Sequence, residues 1–171
     1  FNVTFQGTAP SSVILKAGSA FTTIFDDSLY QYSVLQDIRT TVSNGVAQFR
    51  DIFIKEGIYI TTGFTVNQSS NSQRFTLKNQ NIDTSTITVK VFASENSSEY
   101  KIYQAADNIL EINANSEIFF IDEIEDQQYE IVFGDGVFGK SLINNQFVQI
   151  TYLTTNGSAS NGANSFIFNG I

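Results

Sequence analysis

Short runs of β-branched and aromatic residues recur along the whole chain, and they constrain its fold more than any other feature. Gly, Asn, Asp and Ser interrupt these runs at intervals of about ten residues, as expected for short strands joined by polar turns. Many such strands with little helix favour a sandwich or a barrel. The predicted strands are residues 1–5, 13–15, 21–25, 29–35, 46–54, 58–66, 74–77, 86–92, 100–103, 117–121, 129–133, 147–152 and 165–168.

The sequence therefore predicts a mainly β chain of two small β-sandwich-like units with short antiparallel strands and at most one short helix, at residues 104–110. The polar stretch 67–72 contains no apolar residue and marks the expected boundary. We expect a first unit at 1–66 and a second at 67–157. Residues 165–168 alternate as residues 1–5 do, so we predict that segment 158–171 returns and adds a strand to the first unit.

Composition limits the chemistry that is open to these 171 residues, a length that suits one ordinary domain or two small ones. The chain contains no Cys, His, Met or Trp. Without His and Cys, the Ser-His-Asp and Cys-His nucleophile systems and the usual zinc sites are excluded, and no cofactor or metal is predicted. The missing Met at position 1 and the strand-like start predict an internal piece of a larger polypeptide.

The net charge of −8 argues against binding to a nucleic-acid backbone, which needs a basic patch. No apolar run approaches the length of a membrane span, so no membrane partner is expected. Between Lys101 and Lys140 there is no basic residue, and a solvated acidic face, a docking surface for a basic partner and a calcium site are all open. A calcium loop is disfavoured because the densest block lacks the D-x-D-x-D-G register. The acids of this stretch are Asp107, Glu111, Glu117, Asp122, Glu123, Glu125, Asp126, Glu130 and Asp135.

Residues 134–141 match the phosphate-binding pattern G-x-x-x-x-G-K-[ST]. A phosphate-binding loop needs a strand before it and a helix after it, whose N-terminus faces the phosphates. Residues 129–133 can form the strand, but residues 142–152 predict a turn and another strand. Asp135 would repel a phosphate, and no acid follows it to hold magnesium.

We therefore interpret the motif as a Gly-rich β-turn between two antiparallel strands. In this interpretation Gly134 and Gly136 supply positive φ, and Gly139 is also needed for the backbone conformation of the turn. Lys140 is then a surface residue or a partner for nearby acids.

Residues 129–140, together with 152–157 and Asn161-Gly162, resemble the signature of the baseplate J-like family of contractile-tailed bacteriophages. The specific likeness is to T-even type baseplate wedge subunits that form the inner ring around the tail hub. The family string "yEi-FGDG-v-Gk-l" is followed by a strand of the type "v-i-Y-l-T-x-G" and a small-residue loop closing on Asn-Gly. Residues 74–79, 82–89 and 119–123 also resemble the family. The turn 144–146 departs from it, because it lacks the expected glycine.

The resemblance implies an internal fragment of a larger structural subunit without a known catalytic centre. Such subunits dimerise, link neighbouring wedges into a ring and move during sheath contraction. The expected location is the virion tail baseplate, and the expected partners are copies of the chain and other wedge proteins. The candidate interaction surface comprises two exposed regions, Asp122, Glu123, Glu125 and Asp126 in the acidic block, and Asn156, Gly157, Asn161 and Gly162 in the loop 156–164.

Two other classes of function are open to a chain of this composition. A carbohydrate-binding or adhesin-like β-sandwich is the alternative, with seven tyrosines available but no Trp for the strongest stacking platform. A glycosidase would need two carboxyl groups facing across a cleft. Glu117, Asp122, Glu123 and Glu130 are eligible by residue type alone, and we expect that the chain is not an enzyme.

Overall fold

The structure of the protein is a computed structural model that describes residues 1–67, 74–107 and 109–169. Strands hold 51% of the residues and helices 3%, so the predicted mainly β class is confirmed. Within the described ranges, the helical elements are the 3-10 turns Ile109–Glu111 and Glu125–Gln127. The strands are β1 (Asn2–Thr4), β2 (Ser12–Leu15), β3 (Ala20–Phe25), β4 (Ser28–Val34), β5 (Ile38–Ser43), β6 (Val46–Gln48), β7 (Ile54–Glu56), β8 (Ile58–Thr65), β9 (Arg74–Leu77), β10 (Ile82–Phe92), β11 (Tyr100–Ala105), β12 (Ile118–Glu123), β13 (Tyr129–Phe133), β14 (Phe147–Thr154) and β15 (Ile167–Phe168).

The chain forms two compact units, Phe1–Tyr59 with Thr155–Ile171 as unit 1, and Ile60–Thr154 as unit 2. The first division falls early in β8 and not in the polar stretch 67–72, which lies outside the described residues except for Asn67. The second division falls at the end of β14. The chain end does return to unit 1, because β15 pairs antiparallel with β3.

Unit 1 contains two four-stranded sheets, with the orders β1-β6-β5-β2 and β15-β3-β4-β7. Strands β3 and β4 form a hairpin whose turn residues, Asp26 and Asp27, both have positive φ, as tight hairpin turns require. Leu15 and Ala47 from the first sheet share one buried cluster with Phe21 and Val34 from the second. Both sheets therefore bury their apolar side chains in the same core.

Unit 2 is built on one seven-stranded sheet, with the order β8-β14-β10-β11-β12-β13-β9. The pair β11–β12 is parallel. The pairs β10–β14, β10–β11, β12–β13 and β13–β9 are antiparallel. On β14, Val148, Ile150 and Tyr152 alternate toward the core, as one face of a strand does. The two end strands of the sheet, β8 and β9, line the same cavity, so the sheet must curve to bring them near each other.

Three local predictions differ from the structure. Strand β5 was not predicted, because Arg39 and polar residues dilute its apolar pattern. The predicted strand 46–54 is two strands, β6 and β7, and Asp51 with φ of 49° lies in the break. The possible helix at 104–110 does not include its first residues, because Gln104 and Ala105 continue β11 and pair with β12, and a 3-10 turn follows at Ile109–Glu111. Backbone pairing there overrides a weak helical pattern.

None of the described helical segments has the length and apolar character needed to cross a membrane.

Candidate functional site

The β12–β13 hairpin positions two of the segments that the sequence singled out. Phe119 pairs with Phe133 near one end, and Glu123 pairs with Tyr129 at the other. Residues 134–141, here called the GDG loop, follow Phe133. Residues 122–128, here called the acidic turn, lie at the opposite end. A strand of about six residues spans roughly 20 Å, so the two segments are well separated.

The GDG loop is held by bonds from its own main chain. The Asp135 carboxylate oxygen Oδ1 accepts the N–H groups of Val137 at 2.8 Å and Phe138 at 2.9 Å. The N–H of Gly136 donates to the carbonyl of Gly139 at 3.0 Å. The bonds from Phe138 and Val137 favour the ionised carboxylate, and they lower the pKa of Asp135 below its ordinary value.

The glycines of the loop have roles that differ from the predicted ones. Gly136 and Gly139 have φ of 91° and 83°, but Gly134 is not in the left-handed region, so the prediction for Gly134 was wrong. A Cβ on Gly134 would instead overlap the backbone of Gly139, and Gly134 is needed for close approach of two chain segments. A Cβ on Gly139 would lie 3.0 Å from Ile118.

The loop is not the predicted tight turn between adjacent strands. The loop follows β13 and precedes β14, and in the sheet these two strands are separated by β12, β11 and β10. The connection therefore crosses the end of the sheet. It ends in the turn 144–146, where Asn145 has φ of 67° and takes the left-handed conformation that Gly and, less often, Asn adopt.

The far side of the GDG loop docks on residues 113–117. The N–H of Gly139 donates to the carbonyl of Asn113 at 3.2 Å, and that of Lys140 donates to the carbonyl of Ser116 at 2.8 Å. The Lys140 ammonium lies 2.9 Å from Glu117 Oε1, and the Lys101 ammonium lies 2.6 Å from the same oxygen. Lys101 and then Lys140 lower the pKa of Glu117 by hydrogen bonding to its ionised form.

This geometry removes the features that a phosphate cradle needs. The consecutive N–H groups of residues 136–140 all donate to protein oxygens, and the Lys140 ammonium is paired. The Asp135 carboxylate takes the place that an anion would occupy in a nest of amides. After the loop the chain continues to β14, without the helix that a phosphate-binding loop requires. Lys140 is a partner for a nearby acid, which is one of the two roles foreseen for it.

The loop instead presents apolar side chains to solvent. Val137 is 68% exposed and Phe138 is 54% exposed, and Ile143 beyond the loop is 60% exposed. Their backbone is fixed by the bonds described above. Two adjacent apolar side chains on an ordered loop are a surface that a protein partner can cover at low entropic cost.

The acidic turn divides into a paired part and a part with open charges. Arg74 lies 3.1 Å from Asp122 Oδ2 and 3.1 Å from Glu130 Oε2, and Thr76 donates to Glu130 at 3.2 Å. The cross-strand registers Asp122–Glu130 and Glu130–Thr76 place these side chains on one face of the sheet. Asp122 is thus part of an ion-pair network and is partly neutralised.

Glu123, Glu125 and Asp126 are exposed, and no cation of the described residues pairs with them. Asp126 has φ of 60° within the 3-10 turn, and the Gln80 side chain donates to its carbonyl at 3.5 Å. Across the described ranges no three His, Cys, Asp or Glu residues are grouped to hold a metal ion. Of the four acids predicted here as interaction residues, three remain open to a partner.

The loop 156–164 is exposed at Asn156, Gly157, Asn161 and Gly162, but it is fastened to unit 1. Asn156 donates its N–H and its side-chain amide to the Glu56 carboxylate at 3.0 and 2.9 Å, and Thr155 donates its hydroxyl to the same group. Further along, Tyr32 donates to the buried Ser160 hydroxyl at 2.8 Å. A Cβ on Gly162 would lie 3.3 Å from Phe25. The loop is therefore a fixed surface feature.

Two residues that hold these surfaces, Glu56 and Arg74, are not indicated by any local sequence pattern. Glu56 is 9% exposed and receives its hydrogen bonds from residues about a hundred positions away in the chain. Arg74 joins three strands. Such long-range partners leave no local pattern, although Glu56 is unusual as a buried acid that ends a strand.

Of the four carboxylates eligible by residue type for glycosidase chemistry, three are held in ion pairs. Glu117 is bound by two lysines, and Asp122 shares Arg74 with Glu130. Comparison of the chain with models of known protein families gives no match. Comparison with curated proteins gives no match either.

Proposed function

We propose that this chain is a structural module of the baseplate of a contractile phage tail, and that it makes protein–protein contacts between wedge subunits. The proposal rests on the resemblance of residues 129–140 and 152–162 to the baseplate J-like family. Its partners are then copies of the chain and other wedge proteins, and its location is the virion tail baseplate.

The observation that carries the proposal is the construction of the GDG loop. A motif that serves nucleotide chemistry elsewhere is here saturated by internal hydrogen bonds, and it displays Val137 and Phe138. Apolar and aromatic side chains that protrude from a fixed frame are typical anchors of protein interfaces. We therefore assign the loop as the contact surface of unit 2, with Glu123, Glu125 and Asp126 as a second and more polar surface.

The test is co-elution of the chain with purified wedge proteins of the phage that encodes it, by size-exclusion chromatography with light scattering. The double variant Val137→Ser, Phe138→Ser should lose the complex, because burial of two such side chains contributes several kcal/mol of apolar transfer energy, about 1.5–3 kcal/mol each.

The matched control is Ile24→Ser with Leu29→Ser, a pair of exposed apolar residues at the tip of the β3–β4 hairpin in unit 1. It should leave the complex intact. Equal loss of binding in both variants would contradict the role of the loop, and the absence of any complex with wedge proteins would contradict the proposed function.

A further inference from the structure

A cavity of about 360 Å³ lies between the two end strands of the seven-stranded sheet. Its sides include Ile60, Thr61 and Thr62 of β8, and Leu77, Lys78 and Asn79 at the end of β9. Successive side chains of a strand point to opposite faces, so a cavity bordered by consecutive residues runs along the strand edges. We call this cavity the edge groove. Its volume lies at the lower end of the range for ligand sites, about 300–1,000 Å³.

The edge groove is closed at one end by aromatic packing. The rings of Phe64 in β8 and Phe75 in β9 lie 5.0 Å apart, and Phe75 also packs on Phe133. Beyond this contact the groove is bordered by three residues of β8, 60–62, and by four residues at and after the end of β9, 76–79. The three residues of β8 correspond to about 10 Å of extended chain. The open length therefore suits a short extended segment.

The backbone along the groove is available for strand pairing. Strand β9 pairs with β13 on one side and β8 pairs with β14 on one side, and neither has a strand neighbour on its other side in the described sheet. Exposed edges are usually protected by charged residues or Pro. Strand β8 contains neither. An unprotected edge beside a groove is the arrangement that peptide-binding domains use to add a strand.

The side chains of the groove favour one kind of segment. Ile60 and Phe64 supply an apolar part. Tyr152 donates its hydroxyl to Asn79 Oδ1 at 2.6 Å, which leaves the Asn79 amide as a donor. Lys78 is the charged residue of the lining, and no acid of the described chain pairs with it. In a chain of net charge −8, this cation next to a donor group favours a carboxylate.

We propose that the edge groove binds an extended segment of a partner protein, with an acidic side chain of that segment placed on Lys78. The segment adds a strand to the edge of β8 or β9, and its apolar side chains contact Ile60 and Phe64. This surface is separate from the GDG loop, and the proposal does not require the chain to be a baseplate subunit.

The test uses three synthetic pools of acetylated and amidated heptapeptides. Val, Ile, Thr and Phe are randomised at the flanking positions, and Asp, Asn or Lys is fixed at the centre. The immobilised full chain is incubated with each pool, and retained peptides are identified by mass spectrometry. The best retained peptide is then titrated into isotopically labelled chain, and amide resonances are followed by NMR.

We expect preferential retention of the Asp pool, with resonance shifts centred on the amides of β8 and β9. Lys78→Gln should lower the affinity for the Asp peptide about threefold to fivefold, as expected for removal of a partly exposed ion pair. The affinity for the Asn analogue of that peptide should not change. The control Lys90→Gln removes the same charge from β10, where Lys90 lies over the Tyr100 ring, outside the groove lining. It should leave both affinities unchanged.

Several outcomes would overturn the proposal. If no pool is retained, or if all three are retained equally, an acidic extended segment is excluded as the occupant of the edge groove. Concentration-dependent shifts of β8 and β9 amides without peptide would identify a second copy of the chain as the occupant. Shifts at the groove with neutral oligosaccharides in place of peptides would identify a carbohydrate site.

Discussion

The two ends of the β12–β13 hairpin both leave the sheet through polar segments, yet they are built differently. In the GDG loop every N–H from residue 136 to residue 140 has a protein acceptor, and the exposed side chains that make no such bond, Val137 and Phe138, are apolar. In the acidic turn the recorded main-chain bonds are Ile124 N–H to Gln128 O at 2.9 Å and Gln128 N–H to Glu125 O at 3.3 Å. Its exposed side chains carry like charges. The GDG loop thus has an ordered backbone that holds apolar side chains for contact. The acidic turn is a solvated surface whose charge can act at longer range.

The largest expected effect comes from Gly134→Ala. The new methyl group would overlap backbone atoms of Gly139, so two chain segments must separate, and unfolding should become easier by about 3 kcal/mol. Gly136→Ala is the matched control, because it has a positive φ and only ordinary contacts, and it should cost about 1–2 kcal/mol. Urea denaturation followed by tyrosine fluorescence and circular dichroism measures both. Equal effects would contradict close approach as the role of Gly134.

Asp135→Ala should have the next largest effect, because it leaves the N–H groups of Val137 and Phe138 without their acceptor. We expect a lower urea midpoint, as after removal of a helix cap. Asp135→Asn keeps an oxygen acceptor and should recover most of this loss. Urea midpoints of the three proteins provide the comparison, and an Asn variant as unstable as the Ala variant would show that charge, not acceptor geometry, holds the loop.

Glu117→Gln should produce a smaller effect that depends on pH. The pKa of Glu117 is lowered in the folded chain by Lys101 and Lys140, so its contribution is present above the ordinary value of 4.5 and is lost as the pH falls through the lowered value. The stability difference from the parent should be below about 1 kcal/mol at pH 7 and should vanish in acid. Thermal melts between pH 7 and pH 3 measure it. A difference that grows in acid would contradict the sign.

Neutralising the acidic turn should change stability least. The variant Glu125→Gln with Asp126→Asn removes two exposed charges that no described cation pairs, so the change should lie within about 0.5 kcal/mol. Its effect should appear in the salt dependence of partner association, because surface charge alters encounter rates. A stability loss of the size expected for Asp135→Ala would show that the turn is a structural frame like the GDG loop.

Local patterns predicted the parts of the fold that depend on local chemistry. The alternation of residues 129–133 and 147–152 predicted β13 and β14, and the resemblance between the two chain ends predicted the return of β15 to unit 1. The pairing of strands could not be predicted in the same way. Nothing within residues 134–146 shows that β10, β11 and β12 lie between the strands that this segment joins. Sheet order depends on contacts between distant residues.

The candidate site shows the same difference between features set by local sequence and features set by distant contacts. Asp135, Gly136 and Gly139 were identified by residue type, because their roles follow from turn geometry. The role of Gly134 depends on a segment that folds back against it, and the role of Glu117 depends on lysines from two other places in the chain. These partners come together only when the sheet has formed. Long-range ion pairs and close backbone approaches are thus the features that this sequence did not predict.

The central claim is that the N–H groups of residues 136–140 are all hydrogen-bonded within the chain. Its most direct test is the hydrogen exchange of these amides, measured by NMR with and without 5 mM magnesium ATP as the probe. The account predicts that the N–H groups of residues 136–140 exchange more slowly than in an unstructured peptide, by about tenfold or more. It also predicts that magnesium ATP changes neither their rates nor their resonances. Rapid exchange in the free chain that slows when magnesium ATP is added would contradict the account and identify the loop as a phosphate site.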